Sequence, residues 1–248
     1  MDYDTVGPFK DHPLITVYHP PAGDGHAWAQ NGWPATVGAL TGISSKQMSI
    51  SEIGVSYPDD SFGQGTENTP PEKVKGNPWM NILRDVLQYA NTLEEGVSRI
   101  QGENRTCNLI IGLGDGKSSM VNGIQYSGYV ANPYNDVTLL PEDESWHPHI
   151  QDVVYNGMDW LCPTYTSILG GQLQKYHGKI DEKVTIQNIL PTVQTGNLHI
   201  AISDLTDLNW YLGFARASNA DPSEPEFAYE RQFTKLDMKA LFNEPPPN

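Results

Sequence analysis

The sequence predicts an α+β domain in which helices pack on antiparallel sheets. Short stretches that alternate apolar and polar residues, typical of strands, are separated by stretches in which apolar residues recur with helical spacing. The 23 Gly, 19 Pro, 12 Tyr and 6 Trp favour a fold rich in strands and loops over a helix bundle. We expect one domain over residues 1–248, since that length suits a single large core.

The charge balance excludes some function classes. With 15 Lys and Arg against 30 Asp and Glu, the net charge is −15, and an acidic surface repels phosphate backbones. We therefore expect no nucleic-acid partner. We also expect no membrane span, because no apolar run reaches the ~18–20 residues that one requires. The acidity fits either plain solubility or work in an acidic compartment, where carboxylates are partly neutralised.

The first strands are predicted from β-branched residues and period-two alternation. Residues 14–18 form one predicted strand, and residues 27–40 are expected to hold two strands with a break. Residues 47–53 alternate strictly, which places Met48, Ile50 and Glu52 on one face of a strand. If that face is buried, Glu52 needs a partner and becomes a candidate site residue. The alternative is an edge position in solvent.

The next segment changes from a loop to helices. Residues 56–76 are rich in Asp, Gly, Pro and Thr and are predicted to be a surface loop, either a binding loop or a merely mobile one. A helix should begin at Asn77-Pro78, and Thr92 to Glu95 is a capping box that opens a second helix. The buried stripe of the first helix comprises Trp79, Ile82, Leu83, Val86, Leu87 and Ala90.

The second half is predicted to contain strands, then helices, then a hairpin. The predicted strands are 107–113 and 120–126, joined by a turn at 114–117; residues 129–149 are irregular; helices follow at 168–176 and 184–190; a hairpin pairs 198–204 with 210–214. A short segment at 238–242 precedes a flexible tail at 243–248.

No catalytic motif is complete. The run Gly112-Leu113-Gly114-Asp115-Gly116 lacks the ending of a phosphate-binding loop and is predicted to be a hairpin turn. His147-Pro148-His149 has no further metal ligand at a recognisable spacing, so a surface loop is favoured and no metal is expected. His199 lies in an apolar strand and is expected to be a hydrogen-bonded core residue. We predict no cofactor.

Two cysteines and one sequon complete the candidates. Cys107 and Cys162 are too few for a disulfide framework, but they could form a single bridge or remain structural thiols. Either could in principle be a nucleophile. Asn104-Arg105-Thr106 is a candidate glycosylation site.

Several segments, taken in order, resemble the acid ceramidase-like and isopenicillin N acyltransferase-like branch of the N-terminal-nucleophile hydrolases. Within this branch, the resemblance is strongest to the secreted amoebal members. The resemblance implies an αββα sandwich of antiparallel sheets flanked by helices, with an N-terminal hairpin missing from these residues. The matching segments are Met1-Asp2-Tyr3, the glycine-containing run 32–42, the strand 48–52, the helix pair 83–95, His147-Pro148, 194–201 and 229–233.

The resemblance also implies chemistry. In this family a cysteine freed by autocleavage attacks a linear amide, with its own α-amine as base. Asp2 matches the aspartate of the family's Arg-Asn-x-Asp-aromatic motif. In the region where the family has an active-site carboxylate, Glu52 is the nearest candidate for that role. Asn132, or else Asn135, is the candidate for the asparagine of the oxyanion hole. The implied substrate is a small N-acyl amide in lipid metabolism, and the implied location is secreted or lysosomal.

The nucleophile is missing from the place where the family has it. The family cysteine precedes the Asp-aromatic pair, which here is Asp2-Tyr3, and neither Cys107 nor Cys162 takes its position. An arginine expected after His147-Pro148 is also not evident. Three hypotheses follow: the sequence starts inside a longer amidase; it is a non-catalytic binding or structural relative; or the nucleophile arrives on a separate N-terminal peptide.

Overall fold

A computed structural model describes residues 11–55, 76–139, 144–156, 163–217, 221 and 224–245. These residues group into two compact units. The large-sheet unit takes the described parts of 14–134, 203–209 and 237–245. The small-sheet unit takes the described parts of 11–13, 135–202 and 210–236. The single-domain organisation stays a prediction.

In the described part of the large-sheet unit, seven strands form one antiparallel sheet whose spatial order follows the chain. Each strand pairs with the next one along the sequence. The strands are β1 Leu14–Tyr18, β2 Trp28–Gly32, β3 Thr41–Ser44, β4 Met48–Gly54, β5 Leu109–Asp115, β6 Met120–Tyr126 and β7 Ala131–Tyr134. The connection from β4 to β5, over residues 55–108, is the long one, and its described part contains two helices.

Two helices, α1 (Trp79–Tyr89) and α2 (Leu93–Gly102), cover one face of this sheet. We call it the helix face; it carries Met48 and Ile50 of β4. Cross-strand partners share a face, so the register assigns every side chain of the sheet. The buried stripe predicted for α1 packs here, with Trp79 partly buried. The buried residues of this core are Trp28, Ala39, Met48, Ile50, Ile82, Leu83, Val86, Leu87, Ala90, Leu93, Ile100, Leu109, Ile111, Leu113, Ile124 and Tyr126.

The ends of α1 and α2 are fixed by local chemistry. Pro78 is the N-cap of α1, so the helix begins at Trp79, just after the start predicted at Asn77-Pro78. The Thr92 Oγ1 accepts a hydrogen bond from the Glu95 backbone N–H at 3.2 Å, as in a capping box. The Glu95 carboxylate reaches one residue further back than expected and accepts from the Asn91 backbone N–H at 2.7 Å.

Three predictions in this unit were wrong in detail. The second strand expected within 27–40 begins only at Thr41, because Ala35 and Gly38 have positive φ angles and interrupt the extended chain. The turn expected at 114–117 lies at 116–119, and β5 continues through Asp115. The segment expected to be irregular, 129–149, contains β7. Strand β7 is too short to produce a periodic signal.

The small-sheet unit has three further strands, β8 (His199–Asp204), β9 (Asn209–Phe214) and β12 (Thr234–Asp237), and their spatial order is β12-β9-β8. The predicted hairpin is confirmed as β8 and β9, while β12 was not predicted. A two-stranded ribbon pairs β10 (Arg216–Ala217) with β11 (Pro225–Glu226). On β9, the Tyr211 hydroxyl donates to Glu182 at 3.3 Å and so ties the sheet to the helices.

The helices of this unit extend beyond their predicted bounds. Helix α3 spans Pro163–Tyr176. The next helical segment runs from α4 (Glu182–Val184) through a π-helical turn (Thr185–Ile189) into α5 (Leu190–Val193). Pro191 has no N–H to donate and crowds the preceding turn, which accounts for the wider π turn just before it. The short segment near the C-terminus is α6 (Met238–Phe242), which belongs to the large-sheet unit.

Residues 56–75 of the predicted surface loop and residues 246–248 of the predicted tail lie outside the described residues. Within the part of the chain that is described, no helix is long and apolar enough to cross a membrane.

Candidate functional site

The structure does not bring the described candidates of the resemblance together. Asp2 lies outside the described residues. Glu52 is on the helix face, since it pairs with Ile111, which belongs to the buried core of that face. Asn132 pairs with Gln125, the neighbour of the core residue Ile124, and therefore lies on the opposite face of the edge strand β7. The two side chains are also three strands apart, about 14 Å.

Among the described residues, Glu52 has no ion-pair partner. Its Oε1 is buried and has no hydrogen-bond partner among the described residues. Burial disfavours the carboxylate and raises the pKa of Glu52 to about 7. Below that pH the group is mainly uncharged. A carboxyl with such a pKa can take or give a proton near neutrality, as a general acid or base must.

Arg105, a cation near the same end of the sheet, already makes hydrogen bonds to other groups. The Arg105 guanidinium donates its hydrogen bonds to backbone carbonyls, where it closes the C-terminal end of α2. The acceptors are the carbonyls of Ser127 (3.1 Å), Ile100 (3.2 Å), Gln101 (2.8 Å) and Glu103 (3.1 Å). Arg105 is therefore a structural cap.

Cys107 has the properties of a structural thiol. Its φ of 72° places it in the left-handed region, so the predicted strand begins only at Leu109. Burial raises the pKa of the Cys107 thiol, and the charge of Glu52 raises it further. A thiol held in its protonated form is a weak nucleophile. Cys162 lies outside the described residues, so the bridge between the two cysteines stays a prediction.

Asp115 is a second acid on the helix face, at the other end of β4. It pairs across the strands with Met48, and its side chain is only 3% exposed. Its Oδ1 accepts from the backbone N–H of Lys117 at 2.9 Å and from the Lys117 ammonium at 2.6 Å. Burial alone raises the pKa of Asp115, but these bonds outweigh it, with a contribution from the Leu93 backbone, and lower the pKa.

The histidine pair predicted to lie in a surface loop is partly internal. His147 is 1% exposed, and its ring stacks at a tilt against Tyr155 with 4.4 Å between centroids. The Tyr155 hydroxyl donates to the Pro148 carbonyl at 2.6 Å, which fixes the segment. His149 is exposed and its Nε2 contacts the carbonyl of Asp136. The described residues contain no cluster of three metal-ligating side chains.

The remaining polar candidates are structural or exposed. His199 is 2% exposed, which confirms the predicted core position. Burial lowers the pKa of His199 well below its usual value, so the ring is neutral. The Asn135 Oδ1 accepts from the backbone N–H groups of Val137 and Thr138, each at 3.0 Å, and so stabilises a local turn. Asn104 is exposed after α2, and its glycosylation stays a prediction.

One buried amide was missed by the sequence reasoning. Asn31, on the second strand of the sheet, β2, is 0% exposed, and neither its Oδ1 nor its Nδ2 has a hydrogen-bond partner in the described part of the chain. Burying an amide without partners costs roughly 1–3 kcal/mol. The available signal was the dipeptide Gln30-Asn31 inside an otherwise apolar predicted strand.

Comparison of the fold identifies similar solved structures. An N-acylethanolamine-hydrolyzing acid amidase ortholog of Caenorhabditis elegans matches with a TM-score of 0.53 and 16% identity, over 95% of this chain and 92% of that one. A variant of the conjugated bile acid hydrolase of Clostridium perfringens matches with a TM-score of 0.53 and 12% identity, over 92% of this chain and 85% of that one. A penicillin V acylase of Agrobacterium tumefaciens matches with a TM-score of 0.52 and 13% identity, over 92% of this chain and 83% of that one.

Sequence comparison finds curated relatives in Dictyostelium discoideum. The protein dcd1A is 31% identical over 98% of this chain and 55% of its own length. The protein dcd1B is 30% identical over 100% of this chain and 49% of its own length. The chain thus spans about half the length of the curated relatives it matches. No protein-family model matches it. The structural matches show that the chain has the α+β fold of N-terminal-nucleophile hydrolases, with antiparallel sheets flanked by helices.

Proposed function

We propose that this chain is the body of a hydrolase of linear amide bonds, with small N-acyl amides as substrates. The observation that carries the proposal is the fold, which it shares over more than nine-tenths of its length with three proteins whose names describe an amidase, a conjugated bile acid hydrolase and an acylase. The order of family-like segments along the sequence supports the same reaction.

In this proposal the nucleophile is a cysteine outside these 248 residues. Within the described residues the one cysteine, Cys107, is held as a thiol by burial and has a strained backbone. An N-terminal cysteine whose own amine acts as base would attack the amide carbon, expel the amine and leave an acyl-thioester for water to hydrolyse. It belongs to a preceding segment or to a separate N-terminal peptide. The roles of Asp2 and Asn132 remain predictions.

Glu52 is proposed to set the pH range of the protein rather than to act beside Asn132. Its carboxyl is uncharged in acid and is buried in that form, which suits a protein that works in an acidic lumen. The acidic composition, the exposed sequon at Asn104 and a bridge between Cys107 and Cys162 would all fit a secreted or lysosomal glycoprotein.

The alternative is a non-catalytic binding or structural protein with the same fold. It is favoured by one observation: the described residues contain no thiol with a lowered pKa. Such a protein would bind an acyl amide without cleaving it.

The test is hydrolysis of N-dodecanoylethanolamine by the full-length gene product. The release of dodecanoate is measured between about pH 4.5 and 8. We expect turnover that iodoacetamide abolishes and that is highest on the acid side. A Cys107→Ala variant of the same protein is the matched control and should retain turnover. Absence of turnover, or turnover that resists alkylation, would contradict the proposal.

A further inference from the structure

The position of Asn31 is set by its strand neighbours. It pairs with Ile15 of β1 on one side and with Thr41 of β3 on the other, so it lies in the interior of the sheet. Its neighbour Gln30 pairs with Gly42, which pairs with the core residue Ile50, so Gln30 lies on the helix face. Asn31 therefore points away from the helices, to the opposite face, which we call the far face.

Packing accounts for the other unusual residues of the far face. A Cβ on Gly123 would lie within 2.4 Å of ring atoms of Tyr134, and one on Gly114 would lie 3.1 Å from Leu205. Both glycines are thus needed for close approach of a large side chain. Asn31 has no such explanation, because an apolar side chain of similar size, such as Leu, would fill the same volume without leaving polar atoms unpaired.

The unpaired atoms of Asn31 define what could satisfy them. A carboxamide offers one acceptor oxygen and two N–H donors in a plane, which complements the N–H and C=O of another amide. Gln30 differs, because its Nε2 donates to the Tyr18 hydroxyl at 3.4 Å and only its Oε1 is unpaired within the described chain. Polar groups kept at such a cost concentrate at functional sites.

We propose that Asn31 is a substrate-selecting residue, whose Oδ1 accepts a hydrogen bond from the N–H of a bound N-acyl amide while its Nδ2 donates to a substrate oxygen. The inference rests on the proposed function and deepens it. Because Asn31 is 0% exposed, binding requires the far face to open at β2. The reaction itself is left to the nucleophile; Asn31 distinguishes amides from esters.

The test compares N-dodecanoylethanolamine with the dodecanoyl monoester of ethylene glycol, which differs only in having oxygen in place of N–H. In the full-length protein, Asn31→Leu should lower the amide-to-ester ratio of kcat/KM by roughly five- to tenfold. Gln30→Met, on the helix face, is the matched control and should leave the ratio unchanged. Asn31→Ala also removes the acceptor, without adding another polar group, and serves if the leucine variant fails to fold.

The outcomes separate this inference from the proposed function. If the wild type hydrolyses amides and the Asn31 variants keep the wild-type ratio, Asn31 does not select the substrate and the inference is overturned. If nothing is hydrolysed, calorimetric binding of the amide and the ester gives the same comparison. An amide preference that is lost in Asn31→Leu then supports Asn31 while the hydrolase proposal fails. No preference in the wild type overturns the inference.

Discussion

Two acids lie on the helix face near opposite ends of strand β4, Glu52 on β4 itself and Asp115 on the neighbouring strand β5. Their pKa values are shifted in opposite directions. At one end, Met48 pairs with Asp115, whose carboxylate is bound by Lys117 and whose pKa is lowered. At the other end, Glu52 has no charge partner among the described residues, and its pKa is raised to about 7. Burial is common to both. The partner decides which acid is structural and which can titrate.

The largest effect is expected from breaking the paired end. Asp115→Ala leaves the Lys117 ammonium without its carboxylate and the nearby backbone donors unpaired, which should cost about 2–4 kcal/mol of unfolding free energy at pH 7. Urea denaturation measures it. Since the pKa of Asp115 is lowered in the fold, its contribution is present above the usual value of 3.8 and is lost as pH falls through the folded pKa.

The control for this variant is Asp85→Ala, which removes a surface ion pair with Arg84 whose side chains are 38% and 35% exposed. It should change stability by less than about 0.5 kcal/mol. Equal losses for the two variants would show that the Asp115 pair is no stronger than a surface contact.

The second effect concerns the cation near the unpaired end. Arg105→Met removes four hydrogen bonds to carbonyls around the end of α2 and should cost roughly 2–3 kcal/mol. Because Arg105 is committed to those carbonyls, the pKa of Glu52 should stay near its wild-type value, which NMR titration of the side-chain carboxyl measures. A clear rise in the Glu52 pKa would show that Arg105 does pair with it.

The third effect comes from replacing the unpaired acid. A raised pKa means that the contribution of Glu52 to stability is fully present below its usual 4.5 and is lost as pH rises through about 7. Glu52→Gln cannot ionise, so it should be more stable than the wild type by about 1–3 kcal/mol at pH 8 and equal to it at pH 4.5. Thermal unfolding across this range is the measurement, and exposed Glu94→Gln is the control. Parallel pH profiles for wild type and Glu52→Gln would refute this assignment.

The smallest effect tests whether a partner is all that Glu52 lacks. Gly54 lies two residues along the same face, and a Cβ there would meet nothing within 4 Å. Gly54→Lys should bring a cation near Glu52 and lower its pKa by about one unit. Gly54→Gln, equally long but neutral, should not. If both variants shift the pKa equally, desolvation and not charge controls this end of the strand.

The sequence predicted the elements whose side chains repeat with a period. Alternation placed Met48, Ile50 and Glu52 on one face of β4, and the helical stripe of α1 was found residue by residue. Strands β7 and β12, with four residues each, are too short to show a period. They exist because neighbouring strands offer unpaired backbone groups, which is tertiary information.

The candidate site was less predictable for a related reason. The period-two pattern predicted the face on which Glu52 lies. It could not predict that the nearby cation, Arg105, donates its hydrogen bonds to carbonyls at the end of α2 and to Ser127, and so does not pair with Glu52. Asn31 was missed because its burial requires strands on both sides. A pair of consecutive amides in an apolar strand was the only local sign.

The most direct test of the proposed function is covalent trapping of the nucleophile. The full-length protein is treated with an acyl β-lactone, which acylates nucleophilic thiols, and the labelled peptide is identified by mass spectrometry. We predict one labelled cysteine, at the N-terminus of a peptide outside these 248 residues, with N-dodecanoylethanolamine protecting it. Labelling of Cys107 or Cys162, or no labelling under conditions in which the amide is hydrolysed, would contradict the account.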